Sequence, residues 1–241
     1  MTTQEIAVDE HPDASGTGSE TSPAPNGVRY YKRDFWSREN LNYAQPHFRL
    51  EKAARIVNRM AGGKRCDLLD VGCGPATLGR LVDENISYHG IDIAIHEPAP
   101  NLVEADFLDA PISFQGRKFD IVVAQGIFEY VGTFLAAKLG EISDLLVDGG
   151  KFLASYVNFQ HRQPLIYDPY SNVQPLRDFR GSLASQFRVH RYFATSHNWK
   201  HSEPSRVLLR AMQMPLRLNV PLVSRVLAVE YFFICSSKKG A

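Results

Sequence analysis

The chain has 241 residues, of which 44% are hydrophobic and 22% are charged, and its formal net charge is +1; this composition is typical of one globular domain with a full core. Its three cysteines, Cys66, Cys73 and Cys235, are an odd number and include no Cys-x-x-Cys pair, which excludes a disulfide framework and favours a cytoplasmic protein. Because no histidine cluster has the spacing of zinc ligands either, we expect no metal centre. We also expect neither export nor a spanning helix, because residues 1–5 lack the start of a secretory signal and no apolar run reaches roughly 18 residues.

Two different segments precede the predicted core. Residues 1–27 hold Ser, Thr, Gly, Pro and acidic residues with almost no large apolar side chain, which predicts a disordered tail. Residues 28–65 begin with aromatic and charged residues, and apolar residues then recur at helical spacing from His47 to Met60, until Gly62 and Gly63 end the pattern. We therefore predict an N-terminal helical segment over 28–65.

A glycine-rich turn is the strongest local signal in the chain. The apolar run from Cys66 to Val71 predicts a strand, Gly72 and Gly74 predict a tight turn, and residues 77–84 predict a helix that begins beside that turn. A second predicted strand ends at Asp92, 22 residues after Asp70. A carboxylate at about this distance along the chain is where such folds accept hydrogen bonds from ribose hydroxyls. A nucleotide site is therefore predicted, against the simpler alternatives of a turn without a ligand and an Asp92 that caps a helix.

Alternating strand and helix patterns continue to the end of the chain. Residues 120–124 form an apolar run typical of a buried parallel strand, and apolar residues at helical spacing follow over 134–146. Further strands are predicted over 151–157, 187–193 and 229–235.

These motifs resemble those of the class I S-adenosylmethionine-dependent methyltransferases. The resemblance rests on residues 70–75 with Asp92, and on residues 103–107, 119–131 and 149–156, in the family's order. It implies an α/β, doubly wound, mostly parallel seven-stranded sheet with a closing antiparallel hairpin, the Rossmann-like methyltransferase fold. It also implies S-adenosylmethionine as cofactor and S-adenosylhomocysteine as product.

The resemblance implies particular cofactor-binding residues. Asp106, expected at the end of the third strand, would face the adenine, and Phe107 would lie against its ring. A nicotinamide-dependent oxidoreductase is the rival interpretation, but Thr77 stands where a dinucleotide fingerprint has Gly or Ala. Ala76 stands where many methyltransferases have a third glycine. The implied cofactor-binding residues are Asp70, Gly72, Cys73, Gly74, Asp92, Ile93, Asp106, Phe107, Gln125 and Gly126.

The resemblance divides the region 66–241 into a methyltransferase core, a substrate loop at 158–186 and an insert at 194–228. His161 in that loop is our first choice for a general base, with His96, His197, Glu129 and Tyr156 left open. Aromatic residues of 28–65 are expected either to cover the substrate or to hold the first helix on the core. The lid and substrate candidates are Tyr30, Tyr31, Trp36, Tyr43, Glu129, Tyr130 and Tyr156.

Charge is unevenly distributed along the chain. Residues 66–148 hold 14 acidic and 4 basic residues, whereas residues 187–241 hold 9 basic and 2 acidic residues. The acidic part disfavours nucleic acid, and Gln125-Gly126-Ile127-Phe128 stands where methyltransferases acting on exocyclic base nitrogens carry Asn-Pro-Pro-Tyr. Residues 206–227 are apolar and basic, which predicts either a peripheral membrane contact or a cap on the sheet. We expect O-methylation of a small molecule, such as a sugar, a lipid-linked intermediate or a secondary metabolite; RNA or protein is the alternative acceptor.

Overall fold

The computed structural model describes residues 48–95, 97–107, 111–112, 114, 116–157, 174–197 and 228–238. The helices are α1 (Phe48–Ala61), α2 (Leu135–Leu145) and α3 (Leu176–Gln186), with short 3-10 helices at Thr77–Arg80 and Gly132–Phe134. The strands are β1 (Cys66–Val71), β2 (Ile86–Asp92), β3 (Leu102–Glu104), β4 (Phe119–Ala124), β5 (Leu146–Val157), β6 (Phe187–His197) and β7 (Ala228–Ser237).

All seven strands form one sheet in the order β3-β2-β1-β4-β5-β7-β6. The first five strands of this order pair in parallel, and β7 is antiparallel to both β5 and β6. The predicted doubly wound sheet with a closing antiparallel hairpin is therefore confirmed. The direction of strand order reverses between β1 and β4, where open α/β sheets bind their ligands at the carboxyl ends of the strands.

The sheet is covered on both faces, which explains the continuous apolar runs of its central strands. On one face α1 packs Ala53 and Val57 against residues such as Leu68 and Val123. On the other face Leu139 of α2 and Phe179 of α3 belong to the larger cluster of buried residues. Among the described residues, every helix is too short or too polar to span a bilayer.

Three of the predicted elements differ in the structure. The helix predicted over 77–84 is a 3-10 helix of four residues, Thr77–Arg80. A Cβ on its Gly79 would lie 2.7 Å from the ring of Tyr88, so this 3-10 helix packs closely on β2. Part of the predicted substrate loop 158–186 is helical, since α3 begins at Leu176. The third strand ends at Glu104 rather than at Asp106.

The structure gives different bounds for the strands on either side of the predicted insert. The insert predicted at 194–228 begins later, since β6 continues to His197 and β7 starts at Ala228. The N-terminal tail, most of the substrate loop and residues 206–227 lie outside the described residues. Tyr30, Tyr31, Trp36, Tyr43, His96 and His161 also lie outside them.

Candidate functional site

The glycine turn follows β1 directly and is tied to the end of β2. The backbone N–H groups of Gly72 and Cys73 both donate to the carbonyl of Ile91, at 2.8 and 3.1 Å. Gly72 has φ +74°, and a Cβ on it would lie 2.3 Å from Cγ2 of Ile127. At Gly72 the space that a side chain would fill is thus taken by Ile127. The loop after β4 therefore lies directly against the turn.

Asp92 braces the same turn from the end of β2. Its Oδ2 accepts a hydrogen bond from the N–H of Gly74 at 2.7 Å, and its Oδ1 accepts from the N–H of Ala94 at 3.1 Å. The predicted proximity of Asp92 to the glycine turn is thus present in the structure. Each carboxylate oxygen can accept more than one hydrogen bond. The arrangement therefore fits the predicted ribose contact, which stays a prediction.

Asp70, the first residue of the glycine-turn motif, is a buried carboxyl group. It is 4% exposed, and the hydroxyl of Tyr88 donates to its Oδ2 at 2.8 Å. Burial raises the pKa of Asp70 to about 7; the Tyr88 hydrogen bond and the charge of Arg49 lower it, while the charge of Asp92 raises it. A carboxyl group with such a pKa changes its charge near neutral pH. It can therefore respond to a cation placed beside the turn.

Cys73 and Ile93 lie around the same turn, as the sequence predicted. Cys73 is buried, and burial together with the charges of Asp70 and Asp92 raises the pKa of its thiol far above the usual range. A thiol in that state is unreactive, which supports a packing role for Cys73. Ile93 follows Asp92 and is partly exposed.

Phe107 follows β3, in the segment where the resemblance implies that the adenine binds. Its ring makes an edge contact with Phe128, at a centroid distance of 6.4 Å, and Lys138 Nζ lies 5.2 Å from its centroid. Asp106 and Phe107 are both partly exposed, so they are open to a ligand at this edge of the sheet. Their contact with adenine stays a prediction.

The loop after β4 supplies polar groups at the point where strand order reverses. The N–H of Gly126 donates to Ser155 Oγ at 2.9 Å, which fixes the loop to β5. Gln125 is 8% exposed, and its side-chain oxygen Oε1 has no hydrogen-bond partner among the described residues. Because buried polar groups in proteins are normally paired, this oxygen indicates a place for a ligand's donor group.

Arg49 of α1 is a residue of this edge that the sequence analysis missed. A Cβ on Gly126 would lie 3.5 Å from Arg49 Nη1, so the guanidinium lies beside the loop. Nη1 donates to Glu230 Oε1 of β7 at 2.9 Å. Arg49 and Glu230 are 181 positions apart, and no local pattern reveals a contact of that length.

Glu129 was predicted either to face the substrate or to begin a helix. It lies in the turn before Gly132–Phe134, and its Oε1 accepts a hydrogen bond from the N–H of Val157 at 3.1 Å. Burial raises its pKa to about 7; its own backbone, Arg49 and the Val157 N–H lower the pKa, and Glu230 raises it. Glu129 is therefore an acid held at the carboxyl edge of β4 and β5.

The two tyrosines among the described substrate candidates differ. Tyr156 is 1% exposed, stacks on Phe179 at a centroid distance of 4.0 Å, and donates to the carbonyl of Gln174 at 2.8 Å. These contacts place Tyr156 in the core, away from any open surface. Tyr130 is partly exposed in the turn after Glu129.

The architecture and the site together define a class of protein. The model of the methyltransferase-domain family matches residues 46–213, so the chain belongs to this family. It is an S-adenosylmethionine-dependent methyltransferase, as the resemblance implied, and the nicotinamide interpretation is set aside. None of the curated proteins matches the chain.

Solved structures of methyltransferases share the fold at low sequence identity. A methyltransferase from Archaeoglobus fulgidus is 18% identical with a TM-score of 0.55, over 79% of this chain and 95% of that one. A TehB-like methyltransferase from Corynebacterium glutamicum is 16% identical with a TM-score of 0.53, over 83% and 94%. The N-methyltransferase NodS from Bradyrhizobium japonicum, in complex with S-adenosylhomocysteine, is 10% identical with a TM-score of 0.51, over 83% and 91%. These similarities concern the fold.

Proposed function

We propose that this methyltransferase transfers the methyl group of S-adenosylmethionine to a hydroxyl oxygen of a small molecule. The observation that carries the proposal is the excess of acidic residues in the part that forms the glycine turn and β2 to β4, where residues 66–148 hold 14 acidic and 4 basic residues. A polyanion would be repelled from such a surface. A small acceptor that is neutral or positively charged would not be.

The residues of the turn fit the cofactor. S-adenosylmethionine carries a sulfonium, an ammonium and a carboxylate, and supplies an electrophilic methyl group. We assign the two ribose hydroxyls to Asp92, the adenine to Asp106 and Phe107, and the methionine part to the backbone at Gly72 and Gly74. The unpaired Gln125 Oε1 supports this assignment, because the cofactor's ammonium would provide the missing hydrogen-bond donor.

Methyl transfer requires mainly that the protein align the acceptor with the methyl donor and exclude water. The acceptor oxygen must lie in line with the bond that breaks, so positioning supplies much of the rate enhancement. The hydrogen bond between Gly126 and Ser155 and the packing of Ile127 on Gly72 hold the loop after β4 in one place. A rigid loop at the switch point would orient the acceptor beside the turn.

Two features keep other acceptors in consideration. Residues 187–241 hold 9 basic and 2 acidic residues, a balance that suits structured RNA or a lipid-linked acceptor with phosphate groups. The apolar and basic stretch 206–227 would let a cytoplasmic enzyme rest on a membrane surface. The acidic region around the turn makes a small molecule the better candidate.

The proposal is tested by following the methyl group. Purified protein is incubated with S-adenosylmethionine tritiated on the methyl group and a metabolite extract, with S-adenosylhomocysteine as competitor in a parallel sample. We expect tritium in the small-molecule fraction as a methyl ether, and suppression by the competitor. Tritium recovered in RNA or protein, or a methyl group on nitrogen or carbon, would contradict the proposal.

A further inference from the structure

The two carboxylate oxygens of Glu129 differ, because one accepts a hydrogen bond and the other has no hydrogen-bond partner among the described residues. Oε1 accepts a hydrogen bond from the N–H of Val157 at 3.1 Å. Oε2 is shielded from solvent and has no hydrogen-bond partner among the described residues. Since a buried carboxylate oxygen without a donor is unfavourable, it is best explained by a group that arrives with the ligand.

Two contacts of the loop after β4 indicate where this carboxyl group lies relative to the glycine turn. Ile127, two residues before Glu129, lies directly on Gly72. Val157 is three residues beyond Ala154, the partner of the last residue of β4, and three strand residues span about 10 Å. The Glu129 carboxyl group therefore lies beyond the ends of the parallel strands, on the side where the crevice of the sheet opens.

Anchoring the loop does not account for an acid at this position. The hydrogen bond to Val157 uses one oxygen, and the amide oxygen of a glutamine could also accept it, although more weakly because it carries no charge. The charged groups that act on Glu129 come from two elements: Arg49 on α1 and Glu230 on β7. Glu129 in turn raises the pKa of the Tyr156 hydroxyl on β5. Burial raises the pKa of Glu129 to about 7, with Glu230 adding to the rise and Arg49 opposing it, so both protonation states exist near neutral pH.

We propose that Glu129 Oε2 contacts the reacting hydroxyl of the acceptor and takes up its proton during methyl transfer. This inference rests on the function proposed above. A bond forms between the acceptor oxygen and the methyl carbon, and the carbon–sulfur bond breaks with its electron pair remaining on sulfur. The hydroxyl proton passes to Oε2, which leaves a neutral thioether, a methyl ether and a protonated Glu129. Release of that proton to water restores the carboxylate.

The acidity of the acceptor decides how readily its proton passes to this group. A phenolic hydroxyl such as that of tyrosine has a pKa of about 10, whereas the pKa of an aliphatic hydroxyl is several units higher. A carboxylate therefore takes up the proton of a phenol more easily than that of a sugar hydroxyl. The contact is for this reason best probed with a phenolic hydroxyl.

The contact is tested first by binding, with phenol as the probe. Phenol is titrated onto the protein saturated with S-adenosylhomocysteine, and its affinity is measured by ligand-observed NMR for wild type, Glu129→Gln and Glu84→Gln. Glu84 is exposed, so its variant makes the same chemical change far from the loop. A hydrogen bond to a carboxylate corresponds to about 10-fold or more in affinity. We expect that loss in Glu129→Gln alone, with S-adenosylhomocysteine affinity unchanged within about 3-fold.

Turnover supplies the second readout, with the acceptor found in the tritium experiment. Glu129→Gln keeps the acceptor oxygen for Val157, so it should fold, and we expect kcat to fall by about 100-fold or more. The wild-type rate should rise with pH, with its midpoint near pH 7, and this rise should vanish in the variant. A variant with unchanged kcat and an unchanged pH profile would overturn the inference.

The outcomes separate this inference from the proposed function. Equal phenol affinity in wild type and Glu129→Gln, or no phenol binding by wild type, overturns the role of Glu129 and leaves hydroxyl methylation standing. A methyl group recovered on nitrogen, carbon, RNA or protein overturns the proposed function, and the role of Glu129 with it. Glu129→Asp, which keeps the charge on a shorter side chain, should retain more activity than Glu129→Gln if the charge is what matters.

Discussion

Replacing Asp92 by asparagine should damage the cofactor site. Asp92 accepts hydrogen bonds from the N–H groups of Gly74 and Ala94, one on each carboxylate oxygen. Asparagine offers one acceptor oxygen and one NH₂ group, and the NH₂ group would meet a backbone N–H. One of the two hydrogen bonds is therefore lost, and the other loses the contribution of the charge.

The expected magnitude follows from that loss. A hydrogen bond to a charged group is worth about 1.5–3 kcal/mol, so the free energy of unfolding should fall by about 2 kcal/mol. For a chain of 241 residues this lowers Tm by roughly 4–8 °C. The turn that holds the cofactor is then less well fixed and its partner for the ribose is weaker, so the affinity for S-adenosylhomocysteine should fall by about 10- to 100-fold.

Asp120→Asn is the matched control. Asp120 Oδ2 accepts a hydrogen bond from the N–H of Asp67 at 2.8 Å. Asp120 lies at the start of β4, so it is at the opposite end of the parallel strands from Asp92. Both variants change a carboxylate that binds backbone N–H, and only one of them lies at the glycine turn. We expect Asp120→Asn to bind S-adenosylhomocysteine within about 2-fold of wild type.

Isothermal titration calorimetry with S-adenosylhomocysteine and thermal unfolding without ligand measure the two effects separately. Wild-type affinity in Asp92→Asn would refute the assignment of this carboxylate to the cofactor. An equal loss in Asp120→Asn would show that general destabilisation, and not the turn, controls binding.

Three further predictions follow from the geometry of the same region. Gly72→Ala should lower the free energy of unfolding by about 2–4 kcal/mol, because it combines a positive φ with a clash against Ile127; urea unfolding unchanged from wild type would contradict this. Tyr88→Phe should cost about 1–3 kcal/mol, and more at pH 8 than at pH 5, because the lost hydrogen bond favours ionised Asp70; equal losses at both pH values would count against it. Because the pKa of Glu129 is raised, the folded protein binds more protons than the unfolded chain between roughly pH 4.5 and 7, so the free energy of unfolding should fall as pH rises through this window. In urea unfolding followed across pH, Glu129→Gln should remove about 3 kcal/mol of that fall. An unchanged dependence on pH would show that Glu129 is not the group responsible.

The sheet could be predicted from sequence because its signals are local. The run from Asp120 to Ala124 and the glycines after β1 each mark an element within a few residues. Helix α3 gives a weaker signal, since its two buried side chains are Phe179 and Leu183 and most of its surface is exposed. Periodicity did not indicate that the helix after the turn has only four residues. The packing of Gly79 against Tyr88 joins different elements and likewise has no local signal.

The candidate site could likewise be predicted from the sequence only in part. The placement of Asp92 beside the turn followed from chain spacing, because parallel strands bring their carboxyl ends to one edge. Arg49 could not be found, since its position depends on Glu230, which is brought near by the antiparallel β7. The position of Glu129 could not be predicted either, since it depends on a hydrogen bond to Val157, 28 residues further along the chain.

The buried acids at this edge are costly to the fold, and that cost is an argument for function. Asp70, Glu129 and Glu230 are each no more than 5% exposed, and the pKa values of Asp70 and Glu129 are raised to about 7. Apolar side chains of similar size would generally fill such positions with no loss, or with a gain, of stability. These acids gather where the glycine turn meets the loop after β4, and Arg49 of α1 pairs with Glu230 of β7 beside that loop. Because α1 and β7 lie at opposite ends of the described chain, this group of charged residues is complete only when the whole sheet has formed.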